Sequence, residues 1–299
     1  MNKIAIFYHC YLVNNWYDIV YSQLRKIHNS GLYDKTDFIF CNVLIPPYDN
    51  SSLKRFEELI KKFSKIRYKL SSFNSFEFYA IKELYDFCIS DLQNEYFVFY
   101  VNTKGVTYPD NPPDASWRNC LDYFNIEQHE KCIDILNAGK YNICGCELGY
   151  VVPDKDTIQW KYYAGNYWWA TSKYIKTLPS PLITTEYSQR SIYETWILNG
   201  NEDSPTSNNK FANPYCLYKS IIDLRGCYLP DGIYRNDIKC SFEVKTKHQI
   251  DNLMRLIELK KNPNHRYGDK NLSEKIAEHY ADKYPKYILE NYGWEDGSF

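Results

Sequence analysis

The sequence predicts an α/β fold, a mostly parallel central sheet with helices on both faces. Three observations lead there. Short β-rich apolar runs alternate with longer stretches of helical periodicity through the first hundred residues. The most apolar of these runs, Tyr96-Phe97-Val98-Phe99-Tyr100-Val101, has the continuous character of a strand buried on both faces. The composition is globular, with 44% hydrophobic and 24% charged residues in a chain of 299. That length supports one good core, or one core with a small appendage.

The elements follow in order. Lys3 to Tyr8 reads as the first buried strand. Asn14 and Asn15 offer an N-cap for a helix whose inner face carries Trp16, Ile19, Val20, Gln23, Leu24 and Ile27, ended by Ser30-Gly31. Asp37 to Val43 is the second strand. After Pro46-Pro47, Ser51 or Ser52 caps a helix bearing Leu53, Phe56, Leu59, Ile60 and Phe63, and Ile66 to Leu70 is the third strand. A helix over Phe76–Leu92 leads into the Tyr96–Val101 strand. One long helix is expected from Trp117 to Leu136, then a strand over Tyr141–Cys146 and a hairpin or loop excursion over Gly149–Tyr163. A short helix lies within Ala164–Leu178, and another helix begins at Tyr193. Asn199 to Asn209 is the clearest polar loop. Residues 1–216 are thus read as the main α/β domain. Residues 217–299 are read as a C-terminal extension packing on it, with a strand at Gly226–Leu229 and helices at Lys247–Lys260 and Ser273–Glu290.

Charge and cysteine usage narrow the function classes. Lys and Arg total 36 against 37 Asp and Glu, a net charge of −1. No global positive field exists to hold nucleic acid, so an anionic ligand has to be met by a local site. Ten cysteines are scattered without a CxxC pair, which fits reduced thiols in a cytoplasmic setting. The apolar run Ile4–Val13 is interrupted by His9 and is too short to span a bilayer. The chain is rich in aromatics, with 30 Tyr, 15 Phe and 7 Trp. AT-rich codon usage accounts for the total, so functional weight rests on local clusters.

Ligands of parallel sheets sit at the carboxyl ends of the strands. Asn102-Thr103-Lys104-Gly105 follows the best strand, and Lys104 there is placed to neutralise a diphosphate while Gly105 lets backbone approach it. Taken alone, a strand-end Lys-Gly is an ordinary turn. Tyr8 and His9 end the first strand and are candidates for meeting a base or phosphate, although a lone histidine is more often structural. In Gly165-Asn166-Tyr167-Trp168-Trp169, adjacent side chains cannot all face one core. At least one of the three aromatics is expected to line a cleft and offer a flat face to a sugar. Glu194 opens a helix, where it is a dipole partner or, facing a cleft, a general base. Glu202 and Asp203 compete for that role from a polar loop. Arg118, beside Trp117, offers a bidentate phosphate contact.

In this order the segments resemble a family of polysaccharide-type glycosyltransferases found in bacteria and large DNA viruses. The resemblance is carried by Asn15-Trp16, Ser30-Gly31-Leu32-Tyr33, Tyr100-Val101-Asn102-Thr103-Lys104-Gly105 and Trp117-Arg118 with Tyr123-Phe124. It continues through Gly165-Asn166-Tyr167-Trp168-Trp169-Ala170, Tyr174-Ile175-Lys176-Thr177-Leu178 and Glu194-Thr195-Trp196. It covers about the first two-thirds of the chain and implies a GT-A-like (Rossmann-like) fold. It also implies glycosyl transfer from a nucleotide-diphosphate sugar, with a UDP-sugar as the expected donor, to a glycan or glycoconjugate hydroxyl. Under it, Tyr8, His9, Asn102, Thr103, Lys104, Gly105 and Arg118 hold the donor. Gly165, Asn166, Tyr167, Trp168 and Trp169 hold the acceptor, and Glu194 is the base. Asn102 stands where the family usually has His, and Ala164 where it has Ser. GT-A enzymes commonly hold Mn2+ or Mg2+ through Asp-x-Asp, and no such motif follows the Phe97–Val101 strand. The metal ligands are therefore unassigned, unless Lys104 and Arg118 supply the positive charge instead. Two other readings stay open: a glycan-binding module without chemistry on the same fold, and a nucleotide-binding enzyme of another reaction type.

Overall fold

The structure, a computed structural model, describes residues 3–47, 49–71, 75–151, 160–186, 190–200, 212–219 and 231–235. The chain divides into two compact units, Met1–Asp110 with Leu121–Tyr218 and Asn111–Cys120 with Lys219–Phe299. The sequence-based boundary was drawn after Cys216 instead. Most of the polar loop, from Asn201 on, and the expected strand and helices beyond Gly226 lie outside the described residues. So do Glu202 and Asp203.

The first unit is α/β. Its strands are β1 (Lys3–Tyr11), β2 (Phe38–Leu44), β3 (Ile66–Ser71), β4 (Tyr96–Asn102), β5 (Ile143–Gly145), β6 (Leu148–Val151), β7 (Trp160–Tyr163), β8 (Trp168–Thr171) and β9 (Pro214–Cys216). Seven of them form one sheet in the order β3-β2-β1-β4-β8-β5-β9, and β6 pairs with β7 in a separate antiparallel ribbon. Neighbours from β3 to β4 are parallel, β8 is antiparallel to both β4 and β5, and β5 is parallel to β9. The predicted mostly parallel sheet is therefore present. Every residue of β4 is buried, as its unbroken apolar run requires. The last residue of β5, Gly145, has no room for a side chain. A Cβ there would lie 2.7 Å from the Tyr167 carbonyl oxygen and 2.9 Å from the Tyr163 ring.

The helices are α1 (Trp16–Asn29), α2 (Leu32–Lys35), α3 (Asn50–Ile60), α4 (Phe78–Ser90), α5 (Pro112–Asp122), α6 (His129–Asn137), α7 (Ser172–Ile175), α8 (Ile192–Asn199) and α9 (Asp231–Arg235). Helix α1 buries the six residues its periodicity selects, Trp16 through Ile27 at helical spacing. Gly31, at φ +80°, turns the chain after it. Asn15 takes the N-cap position of α1, as expected, although its side chain makes no capping bond, and the cap of α3 changes. Asp49 rather than a serine caps α3, accepting from Ser52 N at 3.1 Å. Asn14 leaves the start of α1 and donates from Nδ2 to Val106 O at 2.9 Å, tying that helix to the loop after β4.

The single helix expected from Trp117 to Leu136 is instead α5 and α6 joined by a π-helical turn over Tyr123–Glu127. Asn125 Nδ2 donates to Leu121 O at 2.9 Å, and Gln128 N reaches Tyr123 O five residues back at 2.9 Å. Apolar spacing does not register one extra residue in a turn, so the interruption was invisible in the pattern.

The described part of the second unit is the 111–120 segment, Lys219 and α9. In that segment Asn111 Nδ2 donates to Asp114 Oδ2 at 2.6 Å, and in α9 buried Tyr234 donates to Asp231 Oδ1 at 2.7 Å. Among the described residues no helix is long and apolar enough to cross a membrane.

Candidate functional site

The chain builds β1, β2 and β3 outward in one direction and then places β4 on the other side of β1. The strand order reverses between β1 and β4, and in open α/β sheets a crevice for ligands forms at the carboxyl ends on either side of such a point. His9 near the end of β1 is in register with Asn42 of β2 and Asn102 of β4, so one polar row crosses three strands there. The loop after β4 is clamped to β1. Thr103 N donates to His9 O at 3.1 Å and Tyr11 N donates to Thr103 Oγ1 at 3.1 Å. Val106 N then closes a turn onto Thr103 O at 3.1 Å, with Gly105 at φ +82°. A type II turn needs that positive φ at its third residue, which is why glycine stands there.

The Gly165-Asn166 loop is the second wall. Gly165 at φ +91° and Asn166 at φ +56° bend the chain tightly before β8. Asn102 Nδ2 donates to Gly165 O at 3.0 Å. The Asn166 side chain is used completely. Its Oδ1 accepts from Trp168 Nε1 at 2.8 Å, and its Nδ2 donates to Tyr193 O at 3.3 Å and to Glu77 Oε2 at 2.5 Å.

That last bond leads to a carboxylate the sequence did not single out. Glu77 stands immediately before α4, behind Phe76, whose backbone is held at φ +47°. It makes no capping bond to its own helix. Its Oε2 accepts instead from the Tyr100 hydroxyl at 2.7 Å and from Asn166. Burial lifts its pKa from the ordinary 4.5 to about 7. The Tyr100 and Asn166 donors and the Lys104 charge pull it down, while the Glu194 charge raises it further. Lys104 and Glu194, far from it in sequence, thus both bear on the charge of Glu77.

The sequence-predicted residues fall into three groups. Lys104, Gly105 and Glu194 are half-buried and reach solvent. Asn102 and Thr103 are there too, with Asn102 Nδ2 committed to Gly165 O and Thr103 Oγ1 and N to β1, so these atoms hold the loop. His9 is buried, its Nδ1 has no hydrogen-bond partner among the described residues, and burial drives its pKa from 6.5 down to about 4 against the opposing contact with Asn42.

The third group requires correction. Tyr167, Trp168 and Trp169 are each 0% exposed. Trp168 stacks on Tyr100 with centroids 5.1 Å apart, Trp169 stacks on Phe99 at 4.9 Å, and the Tyr167 hydroxyl donates to Asn102 O at 2.6 Å. Alternate faces of a strand explain how adjacent aromatics can all be buried: both faces of this sheet are covered. None offers a ring to a sugar, and Gly165 and Asn166 form the loop wall rather than an acceptor surface. Tyr8 is likewise 0% exposed, its hydroxyl bonded to Gln23, so it cannot meet a base. Arg118 belongs to the second unit.

The donor set does not fit a metal. Among the described residues no three His, Cys, Asp or Glu side chains form a group able to hold one. The residue missed by sequence reasoning, Glu77, looks like any first-turn acid of a helix. The Tyr100 hydroxyl and the Asn166 amide that close on it mark it out.

A family model with the description "Domain of unknown function (DUF8361)" matches residues 7–217. Among curated proteins no match is found.

Proposed function

The chain belongs to the DUF8361 family of domains of unknown function, and from the chemistry of its site we propose that it is a GT-A-like glycosyltransferase. It moves a sugar from a nucleotide-diphosphate donor, a UDP-sugar first among them, to a hydroxyl of a glycan or glycoconjugate. The observation that carries this reading is the carboxylate Glu77, held by Tyr100 and Asn166 near the β1/β4 reversal of the sheet, with the charges of Lys104 and Glu194 both bearing on it. A diphosphate needs a local cation in a protein of net charge −1, and Lys104 is half-buried in a turn whose Gly105 admits a close backbone approach. An acceptor hydroxyl needs a proton acceptor, and the sequence pointed to Glu194.

The transfer balances simply. The acceptor oxygen bonds to the anomeric carbon, and the bond from that carbon to the diphosphate oxygen breaks with its electron pair leaving on the diphosphate. The hydroxyl proton passes to a carboxylate of the site. A reducing, cytoplasmic setting belongs to the same proposal, supported by the eight free thiols among the described cysteines. The rival reading, a glycan-binding module, loses its main support with the burial of Tyr167, Trp168 and Trp169.

Isothermal titration of a nucleotide-sugar panel, with and without Mn2+, tests the proposal, followed by mass spectrometry for transferred sugar. One donor is expected to bind, and Lys104→Ala to weaken it about tenfold to a hundredfold. That corresponds to losing one charge-assisted contact of roughly 1.5–3 kcal/mol. Binding of no donor, or binding indifferent to Lys104→Ala, defeats it.

A further inference from the structure

The mount that holds Glu77 is more elaborate than a structural carboxylate needs. Tyr100, which donates to it, is fully buried and stacked on Trp168. Asn166, the other donor, is fixed by Trp168 and by the Tyr193 carbonyl and sits at a left-handed φ that costs an L-residue energy. Phe76 adds a second such φ immediately before Glu77. Both donors converge on Oε2. The other oxygen, Oε1, has no hydrogen-bond partner among the described residues and is not among the enclosed unsatisfied atoms. Glu77 is half-buried, so one of its oxygens can reach out of the fold. Here one oxygen is gripped rigidly and the other is left to solvent or ligand.

We infer that Glu77 is the group that takes the proton of the ligand hydroxyl at this site, through Oε1, and that Glu194 is a positioning charge beside it rather than the base. The inference rests on the transfer reading for the identity of the hydroxyl, not for the existence of the proton site. In the step, the acceptor oxygen bonds to the anomeric carbon, the carbon–diphosphate bond breaks onto the diphosphate, and the proton moves to Oε1. Loss of that proton to solvent restores Glu77. The groups acting on it are Tyr100 of β4, Lys104 after β4, and Tyr193 and Glu194 of α8. A base works best when its pKa lies near the working pH, and burial has brought Glu77 to about 7.

The experiment is an infrared pH titration of carboxyl groups in the full ligand-free chain, repeated on Glu77→Gln, Glu194→Gln and Tyr100→Phe. Wild type is expected to show a carboxyl titrating near neutral pH. Glu77→Gln, which keeps an oxygen for Tyr100 and Asn166, removes that titration. Glu194→Gln moves it to lower pH, and Tyr100→Phe moves it to higher pH, which identifies the group even should Glu77→Gln fail to fold. With an active donor, Glu77→Gln lowers transfer at least a hundredfold, whereas Glu194→Gln lowers it less than tenfold and shifts the acid limb of the pH profile downward. No neutral carboxyl in wild type, or one that persists in Glu77→Gln or ignores Tyr100→Phe, overturns the inference. So does transfer abolished by Glu194→Gln and spared by Glu77→Gln. The expected titration without turnover of any donor supports the proton site and defeats the transfer reading alone.

Discussion

Asn166 shows how much one side chain decides. Its backbone φ of +56° is a conformation that asparagine tolerates better than most residues, and Gly-Asn in a sequence does signal a tight turn. The sequence could not say that the amide would also bond Trp168, Tyr193 and Glu77, because those partners lie 2, 27 and 89 residues away. Asn166→Ala removes three hydrogen bonds and leaves the Trp168 indole N–H buried without its acceptor. We expect a loss of about 2–4 kcal/mol in urea unfolding. Asn166→Gly, free of the φ penalty, should lose less. Equal losses for the two variants would mean that the left-handed backbone is not a cost at this position.

At the scale of elements, helix α1 is anchored to the sheet by a polar residue on its apolar face. Gln23 is 0% exposed. Its Oε1 accepts from the Tyr8 hydroxyl, and its Nε2 lies 2.7 Å from the Tyr167 hydroxyl and 2.9 Å from Asp122 Oδ1. Asp122, also buried, pairs with Lys26 Nζ at 2.8 Å. Periodicity alone placed Gln23 on the buried face, yet gave no reason for a glutamine there. The reason is that β1, the loop before β8 and the end of α5 each present a polar group at that point. Gln23→Leu adds apolar surface but strips partners from two tyrosines and a carboxylate. We expect it to lower stability by roughly 2–4 kcal/mol rather than raise it. A urea midpoint equal to or above that of wild type would contradict this account of the network.

For the whole molecule, two desolvated titratable groups, buried His9 and half-buried Glu77, push stability in opposite directions with pH. The folded pKa of Glu77, about 7, lies above its ordinary 4.5. The native state therefore holds that proton more tightly, and the term weakens the fold as pH rises from 4.5 to 7. The folded pKa of His9, about 4, lies below its ordinary 6.5. Here the unfolded chain binds the proton first, and the term weakens the fold as pH falls from 6.5 to 4. Each is worth roughly 2–3 kcal/mol, the half-buried Glu77 at the lower end. Guanidinium unfolding across that range should uncover one term at a time. Glu77→Gln should leave a stability that rises from pH 4 to 6.5, and His9→Asn one that falls from pH 4.5 to 7. Flat profiles in both variants would show that neither group is perturbed.

Local chemistry was enough for the sequence to determine the alternation of strands and helices, the buried face of α1, the central place of the Tyr96–Val101 strand and the turn at Gly105. Each depends on periodicity or on a residue's own backbone freedom, and both are written within a few positions. The position of Lys104 and Glu194 at one end of the sheet could be anticipated only because parallel sheets gather their loops at the carboxyl ends. The rest was decided by tertiary packing. Tyr167, Trp168 and Trp169 are core because both faces of the sheet are covered, a fact no window of sequence contains. The π-helical turn at Tyr123–Glu127 goes with an asparagine amide bonding a carbonyl four residues back. Glu77 became a candidate only when Tyr100 and Asn166 closed on a single oxygen of it. Its proton affinity is set by desolvation and by charges on other strands and helices, quantities that exist only once the chain has folded.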